Sequence, residues 1–477
     1  MSGIFGVVSK ENCLPVLFYG TDYHSHMGTE YGGIAVLDGQ FKRQIHNISV
    51  SQFKSKFFDD YKRFEGNKGI GVISDSDEQP IFLHSKFGPL CIVTVGLIEN
   101  KEQLTAGLLE RGLSFSEVTR GGINTTELIT KLITQGNTLV DGIEKMFDVI
   151  DGSCSLLVLT KEGVYAARDR FGYTPLTIGK KPDTWAVTSE TSVFPNLGFE
   201  LHKHLEPGEI ILITEDGLSQ KRAGSLANQI CSFLWIYTGF PASIYEGINV
   251  EVVRERSGRA LARRDKDIKV DIVCGIPDSG IGHALGYAAE SGKPYKRPLV
   301  KYTPGYGRSY TPPSQETRDL VAKMKLIPIR DIIAGNRIAV CDDSIVRGTQ
   351  LKNFTINKLW EAGAKEVHIR PACPPLLFPC KFCLSTRSIH ELAARRAIKA
   401  LEGQDREDIQ EYINHNSLHY KKMVEWICRD IEATTLRYQT IDDMVASIGL
   451  PKERLCLYCW TGNCPNAKQA TGKNKPL

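Results

Sequence analysis

The residues with the clearest chemical potential lie in RIAVCDDSIVRGTQ, residues 337–350. An apolar strand pattern ends in Asp342 and Asp343, and the chain then passes through Ser344, Arg347, Gly348 and Thr349 into a helix pattern. A helix start with unpaired backbone N–H groups favours a phosphate, Gly348 lets the backbone approach it, and Ser344 and Thr349 add hydroxyl donors. Two adjacent carboxylates at the C-terminal end of a parallel strand suit sugar hydroxyls, directly or beside a magnesium ion. Together these groups describe a cradle for a phosphorylated ribose. The competing account is an ordinary strand–turn–helix corner, in which the acids end the strand and cap the helix. Two other segments invite the same question. VCGIPDSGIG, residues 273–282, carries Asp278, Ser279 and Gly280 in a turn after an apolar run, and alone it is a Gly-rich bend. YGRSYTPPSQETRDLVAKMKL, residues 306–326, carries Tyr306, Arg308, Arg318 and Lys325, and alone it reads as a solvated basic loop.

Cysteine supplies a second set of candidates. Of 13 cysteines, Cys91, Cys274 and Cys341 sit singly in strand-like runs, where a reduced thiol behaves as a small hydrophobe. Others gather late, at Cys373, Cys380, Cys383, Cys456, Cys459 and Cys464. The Cys380-x-x-Cys383 and Cys456-x-x-Cys459 spacing suggests a four-thiolate zinc site. In a cytoplasmic chain such clustering reads as metal binding before disulfides.

The elements that must position these groups change character near residue 228. Before it come short strand patterns separated by Gly, Asp and Asn turns (GIFGVVS, GGIAVLDG, CIVTVGLI, SCSLLVLT, GEIILITEDG), with one amphipathic helix at TTELITKLITQG, which is sheet-rich α+β. After it, strands DIVCGIP, RIAVCDD and EVHIRPA alternate with helix patterns such as VVRERSGRALARR and GHALGYAAESG, the order of a parallel α/β sheet. The expected domains are therefore 1–228 and 229–477, a division that 477 residues with 42% hydrophobic composition can support. A net charge of +4, with no isolated basic run, gives no reason to expect nucleic acid. No apolar stretch approaches the roughly 18 residues of a membrane span, and the opening MSGIFGVVSK lacks a signal peptide's basic start and cleavage site. The expectation is a cytoplasmic protein without a membrane segment. A charged helical stretch at 398–425 reads as a surface insertion, and AKQATGKNKPL at the end as a frayed tail.

CDDSIVRGT closely resembles the phosphoribosylpyrophosphate fingerprint of type I phosphoribosyltransferases, in the version of the glutamine phosphoribosylpyrophosphate amidotransferases (amidophosphoribosyltransferases). In the same order, residues 273–282 resemble that family's pyrophosphate loop and 306–326 its flap. The resemblance covers nearly the whole chain except 398–425. It implies an N-terminal-nucleophile-type αββα sandwich, the class II glutamine amidotransferase domain, followed by an α/β type I phosphoribosyltransferase domain, in a homo-oligomer. It also implies roles: Asp342 and Asp343 for the ribose hydroxyls and Mg2+, Ser344 to Thr349 for the 5-phosphate, and Asp278, Ser279, Gly280, Arg308 and Lys325 for pyrophosphate. Cations there would neutralise charge growing on the leaving group. Family members with an iron–sulfur cluster draw ligands from a CSF-type segment, a PPxxxPC segment and a C-terminal CxxC. Cys231 in ICSFLWIY, Cys380 in PPLLFPC, and Cys456 and Cys459 in LCLYCWTG fill those positions, which implies a structural [4Fe-4S] cluster instead of zinc, with Cys383 and Cys464 as spare thiols.

In the N-terminal half the same resemblance implies lost chemistry. MSGIFG resembles the start of a class II glutaminase in which Met removal exposes a catalytic cysteine, and here that position is Ser2. A hydroxyl with its own α-amino group as base is a workable nucleophile, so the neighbouring positions decide. HMGTE puts Met27 in place of an arginine, and GVISDS puts Ser74 where a substrate-gripping arginine is expected. TVG puts Val95 in place of the oxyanion-binding asparagine. Thr125 stands for an aspartate and Thr174 for another arginine. Nucleophile, oxyanion donor and charged grips are missing together. Gly3 to Gly6, RDRFGYTPL, SETSVF and LEPGE still resemble the family.

The implied reaction converts phosphoribosylpyrophosphate and ammonia to 5-phosphoribosylamine and pyrophosphate, a step of purine biosynthesis, with ammonia from solution or a separate glutaminase. The alternative is a non-catalytic protein that binds phosphoribosylpyrophosphate or nucleotides and regulates a partner.

Overall fold

The computed structural model describes residues 2–119, 122–225, 228–302, 326–383 and 388–463. Alternation along the first strand, Gly3–Ser9, sets the plan of the N-terminal half. Ile4 and Val8 point to one face and Phe5 and Val7 to the other, all buried, so this strand is covered on both sides. It lies centrally in a seven-stranded antiparallel sheet ordered Glu200–His204, Thr177–Lys181, Thr184–Thr188, Gly3–Ser9, Lys68–Ser74, Tyr31–Asp38 and Gln40–Asn47. A six-stranded antiparallel sheet runs Gly217–Arg222, Ile210–Thr214, Val164–Ala167, Gly152–Leu159, Gly88–Ile98 and Ile81–Ser85. Ile4, Val8 and Val72 of the first sheet meet Val93, Leu157 and Val164 of the second in one core. Helix Leu14–Asp22 covers the outer face of the first sheet. Helices Lys101–Glu110, Thr125–Ile133 and Leu139–Val149 cover the second. The result is the four-layer αββα sandwich the sequence led us to expect.

Residues beyond 230 build a four-stranded parallel sheet in the order Ile272–Gly275, Arg337–Asp342, Glu366–Pro371 and Thr435–Leu436. Helices Val250–Arg263 and Gly280–Ser291 pack on one face. The helical stretch 349–361 and helices Ala393–Glu402 and Leu418–Asp430 pack on the other. Here the structure departs from expectation in two places. The helix after Gly348 contains a π-helical turn, Lys352–Ile356. The stretch 398–425 is not a surface addition, because Ile398, Ile409, Tyr412 and Met423 are buried in the core of the parallel sheet. Its high charge lies on the solvent face of two amphipathic helices, which made it read as an insertion. Among the described residues no helix is long and apolar enough to cross a membrane.

Candidate active site

Strands Ile272–Gly275 and Arg337–Asp342 are parallel neighbours in the register Gly275↔Cys341, so the loops that follow them emerge at the same sheet edge, where open α/β sheets bind ligands. The Ile276 amide donates to the Cys341 carbonyl at 2.9 Å, carrying the ladder one step into the loop. Gly280 then permits a closer approach: a Cβ there would lie 2.4 Å from the Cys341 carbonyl oxygen. These contacts bring the two fingerprints together. Ser279 donates to Asp343 at 2.5 Å, Ser344 donates to the other Asp343 oxygen at 2.6 Å, and the Asp343 amide donates to Asp342 at 2.9 Å. Asp342 and Asp343 are only 9% and 8% exposed. Burial, and for Asp342 the neighbouring Asp343 carboxylate, push both carboxyls above their ordinary range, and Asp342 well above it. Such a pair suits a divalent cation or a sugar hydroxyl, either of which relieves the crowding of like charge.

The other expected residues fall in three groups. Gly348 has φ +79° and opens the helical stretch at Thr349, so the backbone turns at the expected place. Asp278 reaches outward to an ion pair with Lys301 at 2.5 Å. Arg347 is exposed and forms an ion pair with Glu391 at 2.6 Å. Tyr306, Arg308, Arg318 and Lys325 lie outside the described residues. Two cations near the site escaped the sequence reading, Lys301 and Arg254. Arg254 is buried, donates to the carbonyls of Trp235, Tyr237 and Gly239 at 3.0, 3.0 and 2.8 Å, and lowers the Asp343 carboxyl against the effect of burial. Its sequence signal was an arginine on the apolar stripe Val250, Val253, Arg254, Ser257 and Leu261 of its helix.

The N-terminal pocket is built differently. Ser2 lies at the head of the central strand and its Oγ accepts the Asp75 amide at 3.2 Å. Pairing of Gly3 with Ile73 places Ser74 beside it. The Ser74 hydroxyl turns inward and accepts from the Asp77 amide at 3.2 Å and Gln79 Nε2 at 3.4 Å. Gln79 in turn clamps Thr94 through its amide (2.7 Å) and carbonyl (3.2 Å), and Thr94 shares a hydroxyl bond of 2.7 Å with Thr126. Met27 and Val95 are buried apolar side chains. Thr174 is buried with its hydroxyl 2.6 Å from Ser155. Thr125 is the first residue of its helix, next to the capping Asn124. His24, pushed down to about 4 by burial, bridges the Gly20 carbonyl and Thr188 as a neutral structural group. Short hydroxyls and apolar groups bonded among themselves occupy the positions where charged grips were expected.

Residues 68–196 match the family described as a glutamine amidotransferase domain. Over nearly its full length the chain is 31% identical to the amidophosphoribosyltransferase of Bacillus subtilis (strain 168), covering 97% of this chain and 94% of that protein. It is 31% identical to the amidophosphoribosyltransferase of Methanocaldococcus jannaschii, covering 98% of each. A solved structure of glutamine phosphoribosylpyrophosphate amidotransferase from B. subtilis, complexed with ADP and GMP, matches with a TM-score of 0.83 at 30% identity over 97% of both chains. The chain belongs to the amidophosphoribosyltransferase family. A second structure, described as the allosteric regulatory enzyme of purine biosynthesis, matches with a TM-score of 0.82 at 29% identity, covering 97% of this chain and 96% of that one.

Within this amidophosphoribosyltransferase architecture, Cys231 shares one core with late cysteines, while Cys464 lies outside the described residues. Cys231, Cys380, Cys383, Cys456 and Cys459 are packed with Phe233, Trp460 and Phe382. Cys231 and Cys456 stand in register on the parallel pair Ile230–Cys231 and Leu455–Cys456. The Cys380 sulfur accepts the amides of Phe382 and Cys383 at 3.4 and 3.3 Å. All-sulfur donors suit an iron–sulfur cluster or zinc. Among the described residues no group of three or more His, Cys, Asp or Glu side chains is set to hold a single metal ion. The cysteine core also touches the N-terminal half: Phe382 stacks on Tyr173 with ring centroids 4.0 Å apart and 8° between planes. Arg168 pairs with Glu246 at 2.8 Å, and the Glu190 carboxylate accepts from Tyr245 at 2.8 Å and from the Phe240 amide at 2.7 Å. RDRFGYTPL and SETSVF, two of the N-terminal segments that still resemble the family, thus contribute to the seam with the transferase half.

Proposed function

We propose that this chain makes 5-phosphoribosylamine and pyrophosphate from phosphoribosylpyrophosphate and ammonia, with a transferase half, 229–477, that works and a glutaminase-like half, 1–228, that does not. The observation that carries the first part is the apposition of Ser279 and Gly280 to Asp342 and Asp343 across two parallel strand ends. Asp342 and Asp343 face the ribose hydroxyls, and the amides and hydroxyls from Ser344 to Thr349 hold the 5-phosphate. Asp278, Ser279 and Gly280, with Arg308 and Lys325, hold pyrophosphate. Nitrogen bonds to C1 as the C1–oxygen bond to pyrophosphate breaks, the electron pair leaves with pyrophosphate, and the nitrogen sheds a proton. The chain offers no side-chain nucleophile here, so it acts by holding the reactants in line and placing donors around the leaving group. Asp342 and Asp343 would hold Mg2+ through their carboxylate oxygens, and the bound ion would supply charge neutralisation on the pyrophosphate.

The second part rests on Ser74, Val95, Thr125 and Thr174, none of which supplies a charge to grip glutamine or an amide to hold an oxyanion. Ammonia then comes from solution or from a separate glutaminase, in a cytoplasmic homo-oligomer. Cys231, Cys380, Cys456 and Cys459, gathered in one core, would hold a [4Fe-4S] cluster, whose role would be structural, tying residues 456–459 to the seam. Glutamate release from glutamine tests the dismantled half: neither the parent nor Ser2→Cys should release glutamate above background. Turnover by Ser2→Cys alone would show that the pocket still binds and activates glutamine.

A further inference from the structure

The parallel sheet ends in the short edge strand Thr435–Leu436, two strands away from the one that carries Asp342. Beside that edge lies a cavity of about 440 Å³ that belongs to neither the carboxylate site nor the cysteine core. Its size falls within the roughly 300–1,000 Å³ of small-molecule pockets. Val424 of helix Leu418–Asp430 and Leu436 of the strand give it apolar walls, and Tyr420 and Tyr438 add aromatic ones. Tyr438 is only 3% exposed, and among the described residues neither its hydroxyl nor that of Tyr420 has a hydrogen-bond partner. Burial pushes both phenols up, so each keeps its proton at neutral pH and can donate. A buried donor without an acceptor costs free energy that a bound acceptor offsets. The charged groups of the lining differ in what already holds them. Arg437 is paired with Asp265 and Asp267 at 2.9 and 2.5 Å. Arg264 gives one guanidinium nitrogen to the Tyr438 carbonyl at 3.1 Å, with Asp443 no nearer than 3.9 Å. Lys421 has no ion pair among the described residues. Against Arg264 and Lys421 the lining sets a single carboxylate, Glu425, so positive charge is in excess.

We propose that this cavity binds a small planar aromatic ring carrying one anionic group, with the ring against Tyr420, Val424, Leu436 and Tyr438 and the anion met by the Tyr438 hydroxyl, Arg264 and Lys421. A carboxylate and a phosphate offer the same chemistry to these donors. The experiment is calorimetric titration of the anaerobically purified full chain with indole-3-acetate and with adenosine 5′-monophosphate, which separate the two sources. Neutral indole-3-ethanol and adenosine are titrated beside them. At least one anion should bind with a dissociation constant below about 1 mM, and its neutral counterpart at least about five-fold more weakly. Tyr438→Phe should weaken that anion about ten-fold, the size of a hydrogen bond to a charged group, and Lys421→Ser about three-fold. Neither residue belongs to the transferase machinery, so pyrophosphate release and far-ultraviolet circular dichroism should stay at the parental level in both variants. Weakening in both upholds the proposal, since an anion held only at the carboxylate site would not respond to either. Affinity unchanged in either variant overturns it. So does equal affinity for an anion and its neutral counterpart, or no binding of either anion at about 1 mM. Should Tyr438→Phe fail to fold, Lys421→Ser, at an exposed position, decides by the same comparison.

Discussion

Gly280→Ala perturbs the closest approach in the transferase site without removing any polar group. The added Cβ would meet the Cys341 carbonyl oxygen at 2.4 Å, with the Cys341 carbonyl carbon at 3.3 Å and Asp342 Cα at 3.4 Å. All three are backbone atoms of the strand that ends in the carboxylates, so no side chain can swing aside. Ordinary contact near 3.4 Å requires the loop to retreat by about 1 Å. That retreat stretches the 2.5 Å Ser279–Asp343 bond beyond hydrogen-bond range and withdraws the loop from pyrophosphate. A displacement of about 1 Å in a positioned site costs roughly 100-fold in rate, or about 2.7 kcal/mol of transition-state stabilisation. The assay is pyrophosphate release at saturating ammonia with phosphoribosylpyrophosphate varied. The control is Gly403→Ala, at φ +76° with open space around it, which should cost about 1 kcal/mol of stability and leave kcat/KM unchanged. A Gly280→Ala variant with parental kcat/KM and parental stability would refute the reasoning, since the two loops would then not depend on that approach.

Three other outcomes follow from buried groups. Asp342 and Asp343 have carboxyls raised by burial, so the folded chain without ligand holds their protons more tightly than the unfolded chain does. Its stability should therefore fall as pH rises from the ordinary carboxylate value of about 3.9 through the raised folded values, and thermal midpoints of Asp342→Asn should show a flatter fall. Arg254→Met leaves the carbonyls of Trp235, Tyr237 and Gly239 without their donor and should lose about 3 kcal/mol in urea unfolding. Tyr173→Ala removes the stack on Phe382 and the bond to Gln229, and should cost about 3 kcal/mol and speed metal loss to a chelator.

Strand-ending Asp342 and Asp343 and the turn at Gly348 were legible in the sequence because each is a local feature with a fixed place in a strand–loop–helix unit. The pairing of Ser279 with Asp343 follows from strand order, which local pattern does not encode, although the resemblance to the family assigned both segments to one substrate. Arg254 and Lys301 were missed because each looks ordinary in its own segment and gains meaning only from what the fold sets beside it. The 398–425 stretch was misread because composition reports its exposed charge more loudly than the few apolar positions, Ile398, Ile409, Tyr412 and Met423, that enter the core. In the N-terminal half, the sandwich survived in alternation such as Ile4, Val8 against Phe5, Val7, which depends on hydrophobicity and not on catalytic identity. The retained RDRFGYTPL and SETSVF segments were noticed without a reason. Arg168, Tyr173 and Glu190 supply one, since each contacts the transferase half.

The most direct test of a working transferase beside a dismantled glutaminase is the initial rate of pyrophosphate release by anaerobically prepared protein. Magnesium phosphoribosylpyrophosphate is supplied with ammonia or with glutamine as the only nitrogen source. Release with ammonia and none above background with glutamine is the expected result. Release with glutamine at a comparable rate would contradict the dismantled half, and no release with either, despite measurable phosphoribosylpyrophosphate binding, would contradict the transferase.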